Sequence, residues 1–256
     1  MKITYLTNQY RKNRNLCMKI AEPDDGITER FVLALHGFAG SMESWAITAL
    51  AERLTAQRTA VLAFNYAGHG TDTQDELFSV ENCLADYRGA IAFAQNRYPN
   101  AEWCGVFATS FGGFLTLNLC GEIPAAVNIV LRAPAVNMAD VFARIVEDEG
   151  GGMARYQQEG TVTLGDARKL NVPYPFYQEL IEKDVFQRNF DRQMLLIHGD
   201  CDTVVLPDDT AAFCARNPKI TRKIIHGADH LFLHASELDQ VMALAVPWLM
   251  RTASGI

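Results

Sequence analysis

Short apolar runs that alternate with segments of helical spacing are the feature that most restricts how this 256-residue sequence can fold. Each run has the length of a buried strand, and the segments between several of them repeat apolar residues at the period of a helix. This alternation predicts an α/β protein, with a mostly parallel sheet flanked by helices. The strand-like runs are 31–35, 60–64, 103–108, 127–131, 194–197 and 223–225. The helical segments are 42–56, 80–98, 111–120, 208–214 and 236–250.

The alternation is interrupted once, between the strand that ends near Ala133 and the strand that starts near Met194. The intervening segment is longer than an ordinary loop or a single crossover helix. It is also too rich in aromatic side chains to be a disordered linker. We therefore expect residues 1–135 and 192–256 to form the core, and residues 136–191 to form a small inserted cap.

The first twenty residues have a different pattern from the rest of the chain. Two short apolar runs, 3–6 and 16–20, flank a polar stretch at 8–15. We expect these runs to form an antiparallel hairpin at the edge of the sheet, with the polar stretch as its turn.

Charge and composition exclude several classes of protein. The net charge of −7 is the opposite of what a generic nucleic-acid binder needs. The chain has no apolar run of the ~18 residues that a membrane span requires, and its first residues lack the apolar core of a signal peptide. The six cysteines form no CxxC pair, which is typical of a reducing compartment. We expect a cytoplasmic protein that binds neither nucleic acid nor membrane.

The sharpest motif places a serine between a predicted strand and a predicted helix. The motif at 108–113, with Ser110 at its third position, follows the run 103–107 directly and opens the next helical segment. This strand–turn–helix context is that of a nucleophile elbow, in which the serine adopts a strained conformation at a sharp turn. Small residues are needed two positions before and after the serine, and Ala108 and Gly112 meet that need.

A His-Gly pair after the first strand of the core predicts an oxyanion hole. His36 and Gly37 are followed by Phe38 at the end of the run 31–35. In this type of site, the backbone N–H after the His-Gly pair and the N–H after the nucleophile stabilise the tetrahedral intermediate. The two donors are therefore predicted to be the amides of Phe38 and Phe111.

Two later strand ends supply an acid and a base. Asp200 and Asp202 both follow the run 194–197, and we choose Asp202 because it lies past the strand end. His230 follows the last strand-like run and is the predicted general base. The chain order Ser110, Asp202, His230 is the order expected for an α/β-hydrolase triad.

No metal or nucleotide cofactor is expected. His226, His230 and His234 have a spacing of four that can mimic a metal site on a helix, but Gly227 argues against a helix there. The sequence also lacks the glycine-rich phosphate-binding loops of nucleotide sites.

Together these motifs resemble the α/β-hydrolase superfamily, and within it the bacterial cinnamoyl (feruloyl) esterases. The stretches that carry the resemblance are HGF at 36–38, YAGHG at 66–70, SFGG at 110–113, HGDCD at 198–202 and GADH at 227–230. The resemblance implies a cap that holds the aromatic part of a phenolic ester, with Asp140 and Tyr177 at the phenolic hydroxyl. Members often carry Gly-His before the nucleophile, where this chain has Ala108-Thr109.

The expected function is that of a serine carboxylesterase for small or aromatic acyl esters, acting through an acyl-enzyme. A thioesterase or acyl-peptidase of the same fold is the alternative function, because a triad attacks a carbonyl and does not distinguish an ester from a thioester or an amide. A protein that uses the fold for binding alone is the third alternative. The expected partner is a small-molecule ester, and hydrolases of this fold often pair as homodimers through an edge strand or the cap.

Overall fold

A computed structural model describes residues 1–11, 13–165 and 169–252. Parts of the predicted turn, cap and core (residues 12, 166–168 and 253–256) lie outside the described residues. The strands are β1 (Lys2–Arg11), β2 (Arg14–Glu22), β3 (Arg30–Leu35), β4 (Thr59–Phe64), β5 (Glu102–Thr109), β6 (Asn128–Arg132), β7 (Thr161–Leu164), β8 (Leu170–Pro173), β9 (Met194–Gly199) and β10 (Ile220–Ile225). The helices are α1 (Trp45–Thr55), α2 (Val80–Arg97), α3 (Phe111–Asn118), α4 (Met138–Glu149), α5 (Met153–Glu159), α6 (Tyr174–Glu182), α7 (Pro207–Arg216) and α8 (Ala235–Met250), with a short 3₁₀ turn at Asp75–Leu77.

The described residues form one eight-stranded sheet in the order β1-β2-β4-β3-β5-β6-β9-β10. The pairs β1–β2 and β2–β4 are antiparallel, and every later pair in this order is parallel. The predicted fold class, a mostly parallel sheet flanked by helices, is confirmed. The carboxyl ends of β3, β5, β6, β9 and β10 consequently meet at one edge, where the loops that carry the predicted site residues begin.

Successive side chains along the buried strands point to opposite faces of the sheet, and this separates the core into two layers. On β3, Leu33 packs into one layer while Val32 and Ala34 pack into the other. Helices α1 and α8 cover the layer of Val32, and α2 and α3 cover the layer of Leu33. Strands buried on both faces read as continuous apolar runs, which is why the sequence pattern located them.

The segment between β6 and β9 contains α4, α5, α6 and the antiparallel pair β7–β8. Its buried rings, among them Phe142, Tyr156 and Phe176, join the same layer as Leu33. No described helix combines the length and the apolar character that crossing a membrane would take.

The amino-terminal hairpin exists, but its strands are longer than predicted. β1 continues to Arg11 and β2 resumes at Arg14, so the predicted turn at 8–15 is wrong. Asn8 pairs with Leu16, and Gln9 pairs with Asn15. Ladder hydrogen bonds join backbone groups, so polar side chains on an edge strand do not end the pairing.

Candidate active site

Ser110 lies at a strained turn between β5 and α3. Its backbone has φ 49° and ψ −115°, a conformation that non-glycine residues rarely adopt. The turn is held closely against the loop after β3, because a Cβ on Gly112 would lie 2.7 Å from the His36 carbonyl oxygen. The strand, turn and helix predicted around Ser110 are therefore present, and the geometry is that of a nucleophile elbow.

The structure brings the three predicted triad residues together. The Ser110 Oγ lies 3.1 Å from His230 Nε2, and His230 Nδ1 lies 2.7 Å from Asp202 Oδ2. Ser110 and Asp202 are both buried. The rival acid, Asp200, lies outside this chain of hydrogen bonds. It instead accepts from the exposed His226 ring at 2.7 Å.

Asp202 accepts four hydrogen bonds. Its Oδ1 accepts from the backbone N–H groups of Val204 and Val205, both at 2.9 Å. Its Oδ2 accepts from His230, and also from His198 Nε2 at 2.9 Å. Burial alone would raise the pKa of Asp202, but the hydrogen bonds from His198 and His230 outweigh burial and hold the pKa well below its usual value. The carboxylate is therefore ionised at neutral pH.

His198 is a member of the site that sequence reasoning left without a role. It is the fifth residue of β9, is fully buried, and contacts Thr210 Oγ1 at 2.6 Å on the side away from Asp202. The signal for it was present in the sequence, since His198 opens the same His-Gly-x-x-Asp stretch that pointed to Asp202. Its position on a buried strand makes it a rigid support for the acid.

The predicted oxyanion donors belong to the two backbone segments that meet at Ser110. A Cβ on Gly37 would lie 3.2 Å from Ser110 Cβ, so the backbone that leads to Phe38 passes directly beside the serine. The Phe111 amide opens helix α3, where it has no intrahelical acceptor. Among the described residues, no hydrogen-bond acceptor is found for the N–H of Phe38 or of Phe111. Both amides are available to an oxygen bound next to Ser110.

His36 supports this loop from inside. The ring is buried, with Nδ1 at 2.8 Å from the Gly37 carbonyl oxygen. Burial, with a contribution from His69, lowers the pKa of His36 to about 3, so the ring is neutral at physiological pH. This environment gives His36 a structural role in the loop.

A protein-family model described as serine aminopeptidase, S33, matches residues 26–170. The match covers more than half of the chain and includes β3 to β6 and Ser110. The chain belongs to this family. It is thus an α/β hydrolase of the S33 family, and its resemblance to the superfamily is confirmed. A comparison with curated proteins found no match.

Solved structures share the fold of this S33 hydrolase. The esterase domain of a Rhodothermus marinus protein is 22% identical with a TM-score of 0.73, covering 97% of this chain and 98% of that one. Est1E from Butyrivibrio proteoclasticus, solved also with ferulic acid bound, is 18% identical with a TM-score of 0.74 over 97% of this chain and 99% of its own. The mouse α/β hydrolase domain-containing protein 10 is 18% identical with a TM-score of 0.72, covering 95% and 96%.

The two residues assigned to the substrate by resemblance lie on neighbouring helices of the hydrolase. Asp140 is exposed in the first turn of α4 and accepts from Asn137 at 2.7 Å, while Asn137 is the N-cap. The Tyr177 ring on α6 is half-buried and stacks on Phe142 at a centroid distance of 6.2 Å. Burial and the nearby Asp140 raise the pKa of Tyr177. In the described part of the chain, neither side chain is hydrogen-bonded to the three triad residues.

The three histidines at a spacing of four have separate surroundings in the hydrolase. His226 contacts Asp200, His230 contacts Ser110, and His234 is the N-cap of α8, where its N–H donates to Glu237 at 3.3 Å. Within the ranges that the structure describes, no group of three or more His, Cys, Asp or Glu side chains could hold a metal ion.

Proposed function

We propose that this S33 hydrolase is a serine carboxylesterase that cleaves small or aromatic acyl esters, of the cinnamoyl and feruloyl type, through an acyl-enzyme. The observation that carries the proposal is the continuous hydrogen-bonded chain from Ser110 Oγ through His230 to Asp202, at 3.1 Å and 2.7 Å. Serine is unreactive at its own pKa and needs a base within this reach.

The geometry supports a two-step reaction. His230 Nε2 removes the Ser110 hydroxyl proton as Oγ attacks the ester carbonyl, while the amides of Phe38 and Phe111 donate to the developing oxyanion. Asp202 holds the imidazole in the correct tautomer and stabilises the cation that forms. His230 then gives its proton to the departing alcohol. Water hydrolyses the acyl-enzyme by the same proton transfers in reverse.

Aromatic rings beside the oxyanion loop support an aromatic acyl group. Phe38 and Tyr177 are both partly exposed, and both contact the buried Phe142 ring, at centroid distances of 5.7 Å and 6.2 Å. A flat acyl group gains offset-stacked or edge contacts with such rings. Est1E, which shares the fold and binds ferulic acid, points to the same class of substrate.

The test is the initial rate of hydrolysis of methyl ferulate beside p-nitrophenyl butyrate, with Ser110→Ala as control. We expect both esters to be cleaved, and the variant to lose about 10⁶ in kcat, as triads do without their nucleophile. If only the butyrate ester were cleaved, the phenolic-ester substrate would be refuted and the assignment as an esterase would stand. Turnover of neither ester by wild-type protein would refute the esterase.

An acyl-peptidase is the second candidate, because the matching family is described as serine aminopeptidase. The same triad can attack an amide, although the amine must leave with a proton from His230. N-acetylalanine p-nitroanilide for the acyl-peptidase, and alanine p-nitroanilide for an aminopeptidase, separate the candidates when assayed beside the two esters. A kcat/KM for one of the anilides above that for either ester would favour the peptidase.

A further inference from the structure

Arg132, the last residue of β6, places its guanidinium between the two loops that carry Ser110 and His230. Its Nε donates to Thr109 Oγ1 at 3.3 Å, and its Nη1 donates to the Leu231 carbonyl oxygen at 3.3 Å. The same guanidinium lies 4.8 Å from the centroid of the Phe232 ring. One side chain thus contacts the residue before the nucleophile and the two residues after the base.

The Arg132 side chain is buried without a salt bridge. Only 6% of its surface is exposed, and within the described part of the chain no carboxylate pairs with it. Burial lowers the pKa of Arg132 to about 10, partly offset by the charges of Asp202 and Asp229, so the group is a cation at neutral pH. An unpaired buried charge is destabilising. Groups of this kind concentrate at functional sites.

The backbone around Arg132 is strained at three non-glycine positions. Ser110, Ala133 and Phe232 have φ values of 49°, 42° and 54°. Such conformations persist only where the surrounding contacts determine them. Arg132 directly precedes Ala133, donates to Thr109 before Ser110, and lies over the ring of Phe232. It is therefore placed to maintain all three conformations.

We propose that Arg132 is a positioning residue that links the nucleophile elbow to the loop of His230. It thereby keeps Ser110 Oγ within hydrogen-bonding distance of His230 Nε2. This inference rests on the proposed function, since it concerns the same nucleophile and base. A shift of about 1 Å at such a contact can cost about 10²-fold in rate.

The rate at which a fluorophosphonate labels Ser110 measures the reactivity of the serine independently of the substrate. We expect Arg132→Gln to label about tenfold more slowly at neutral pH. In the hydrolysis of p-nitrophenyl butyrate, kcat should fall by a similar factor while KM changes little. Arg132→Lys should recover only part of the labelling rate, because lysine keeps the charge and lacks the planar fork.

Two further variants separate positioning from general destabilisation. Thr109→Val removes the hydroxyl acceptor with little change of shape, and should slow the labelling of Ser110. Arg192→Gln is the matched control. Arg192 also donates to backbone carbonyls, including that of Ile123 at 2.7 Å, but it precedes β9 at the opposite end of the strand. This variant should have a lower melting temperature and an unchanged labelling rate.

The outcomes distinguish this inference from the proposed function. An Arg132→Gln protein with the wild-type circular dichroism spectrum, labelling rate and kcat would overturn the role of Arg132. If that variant does not fold, wild-type rates in both Arg132→Lys and Thr109→Val would overturn it equally. Wild-type protein that is not labelled at Ser110 at any pH would refute the serine hydrolase itself, and the role of Arg132 with it.

Discussion

The four hydrogen bonds accepted by Asp202 determine the proton positions in the site. Because the carboxylate can only accept, His230 Nδ1 and His198 Nε2 must both carry protons. A neutral His230 then has a free lone pair on Nε2, directed at the Ser110 hydroxyl. The tautomer needed for general-base catalysis is therefore set by the acid before any substrate binds.

At the same scale, the two aspartates of the acid loop should respond very differently to substitution. We expect Asp202→Asn to lower kcat by about 10⁴, because the amide can donate to His230 and so favours the wrong tautomer. Asp200→Asn should retain most activity, since Asp200 accepts from His226, the Gly227 amide and the Cys201 thiol, and from no triad residue among the described ones. Steady-state kinetics on p-nitrophenyl butyrate measures both. A larger loss in Asp200→Asn would show that the acid is misassigned.

Asp202 should also make stability depend on pH. Its pKa is lower in the folded protein than in the unfolded chain, so its contribution is complete above the unfolded value of about 3.9 and declines as the pH falls below it. We expect wild type to lose about 1 kcal/mol of unfolding free energy from this group between pH 5 and pH 3. Urea denaturation at the two pH values measures the loss. Asp202→Asn should lack this loss of unfolding free energy between the two pH values. An equal pH dependence in wild type and variant would contradict the contribution of Asp202.

At the scale of elements, the site is built from four strand ends. The loops after β3, β5, β9 and β10 carry the Phe38 amide, the Ser110 hydroxyl, the Asp202 carboxylate and the His230 ring. Parallel pairing brings these ends to one edge although they are far apart in sequence. The elbow and the oxyanion loop must also approach closely, which only small side chains allow.

Gly112→Ala tests that close approach. The new Cβ would lie 2.7 Å from the His36 carbonyl oxygen and 2.8 Å from Leu35 Cβ, so α3 and the oxyanion loop must separate. We expect a loss of about 1–3 kcal/mol in unfolding free energy by urea denaturation, with a marked loss of activity. Gly121→Ala is the matched control, because nothing lies within 4 Å of its Cβ. Equal stabilities of the two variants would contradict the tight packing.

At the scale of the whole molecule, one ring cluster joins the segment between β6 and β9 to the layer of Leu33. Phe176 on α6 contacts Phe142 of the same segment at 5.3 Å. It also contacts Phe78 at 4.5 Å, Phe111 at 5.9 Å and Phe38 at 6.2 Å outside that segment. Since Phe111 and Phe38 adjoin the nucleophile and the oxyanion loop, the packing of the segment and the geometry of the site are coupled.

Phe176→Ala should therefore destabilise the entire protein. Removing this fully buried ring is expected to cost about 3–5 kcal/mol. All three tryptophans lie outside residues 136–191, so their fluorescence in urea reports on the rest of the chain. Ile181→Ala on the same helix is the control, because Ile181 is 53% exposed and should change stability by about 0.5 kcal/mol or less. A Phe176→Ala protein with the wild-type tryptophan transition would show that the segment unfolds separately.

Much of this organisation could be predicted because it depends on local patterns. The strands buried on both faces were found as apolar runs, and Ser110 was found by the small residues around it. The edge hairpin was only partly predicted, because Asn8 and Asn15 look like turn residues although they lie in paired strands. The start of β10 was also missed, because the polar residues Thr221 and Arg222 interrupt the apolar pattern. The backbone of this edge strand nevertheless continues to pair there.

The sequence by itself determined the fold class, the order of the site residues and the small residues at the elbow, because these follow from side-chain periodicity and size along the chain. Spacing along the chain pointed to Asp202, but the contacts themselves come from the tertiary structure. In the folded protein His230 and His198 both bind Asp202, and Arg132 lies between the loops of Ser110 and His230. The contacts of Arg132 depend on how distant strand ends are placed in space, and no local pattern indicated them.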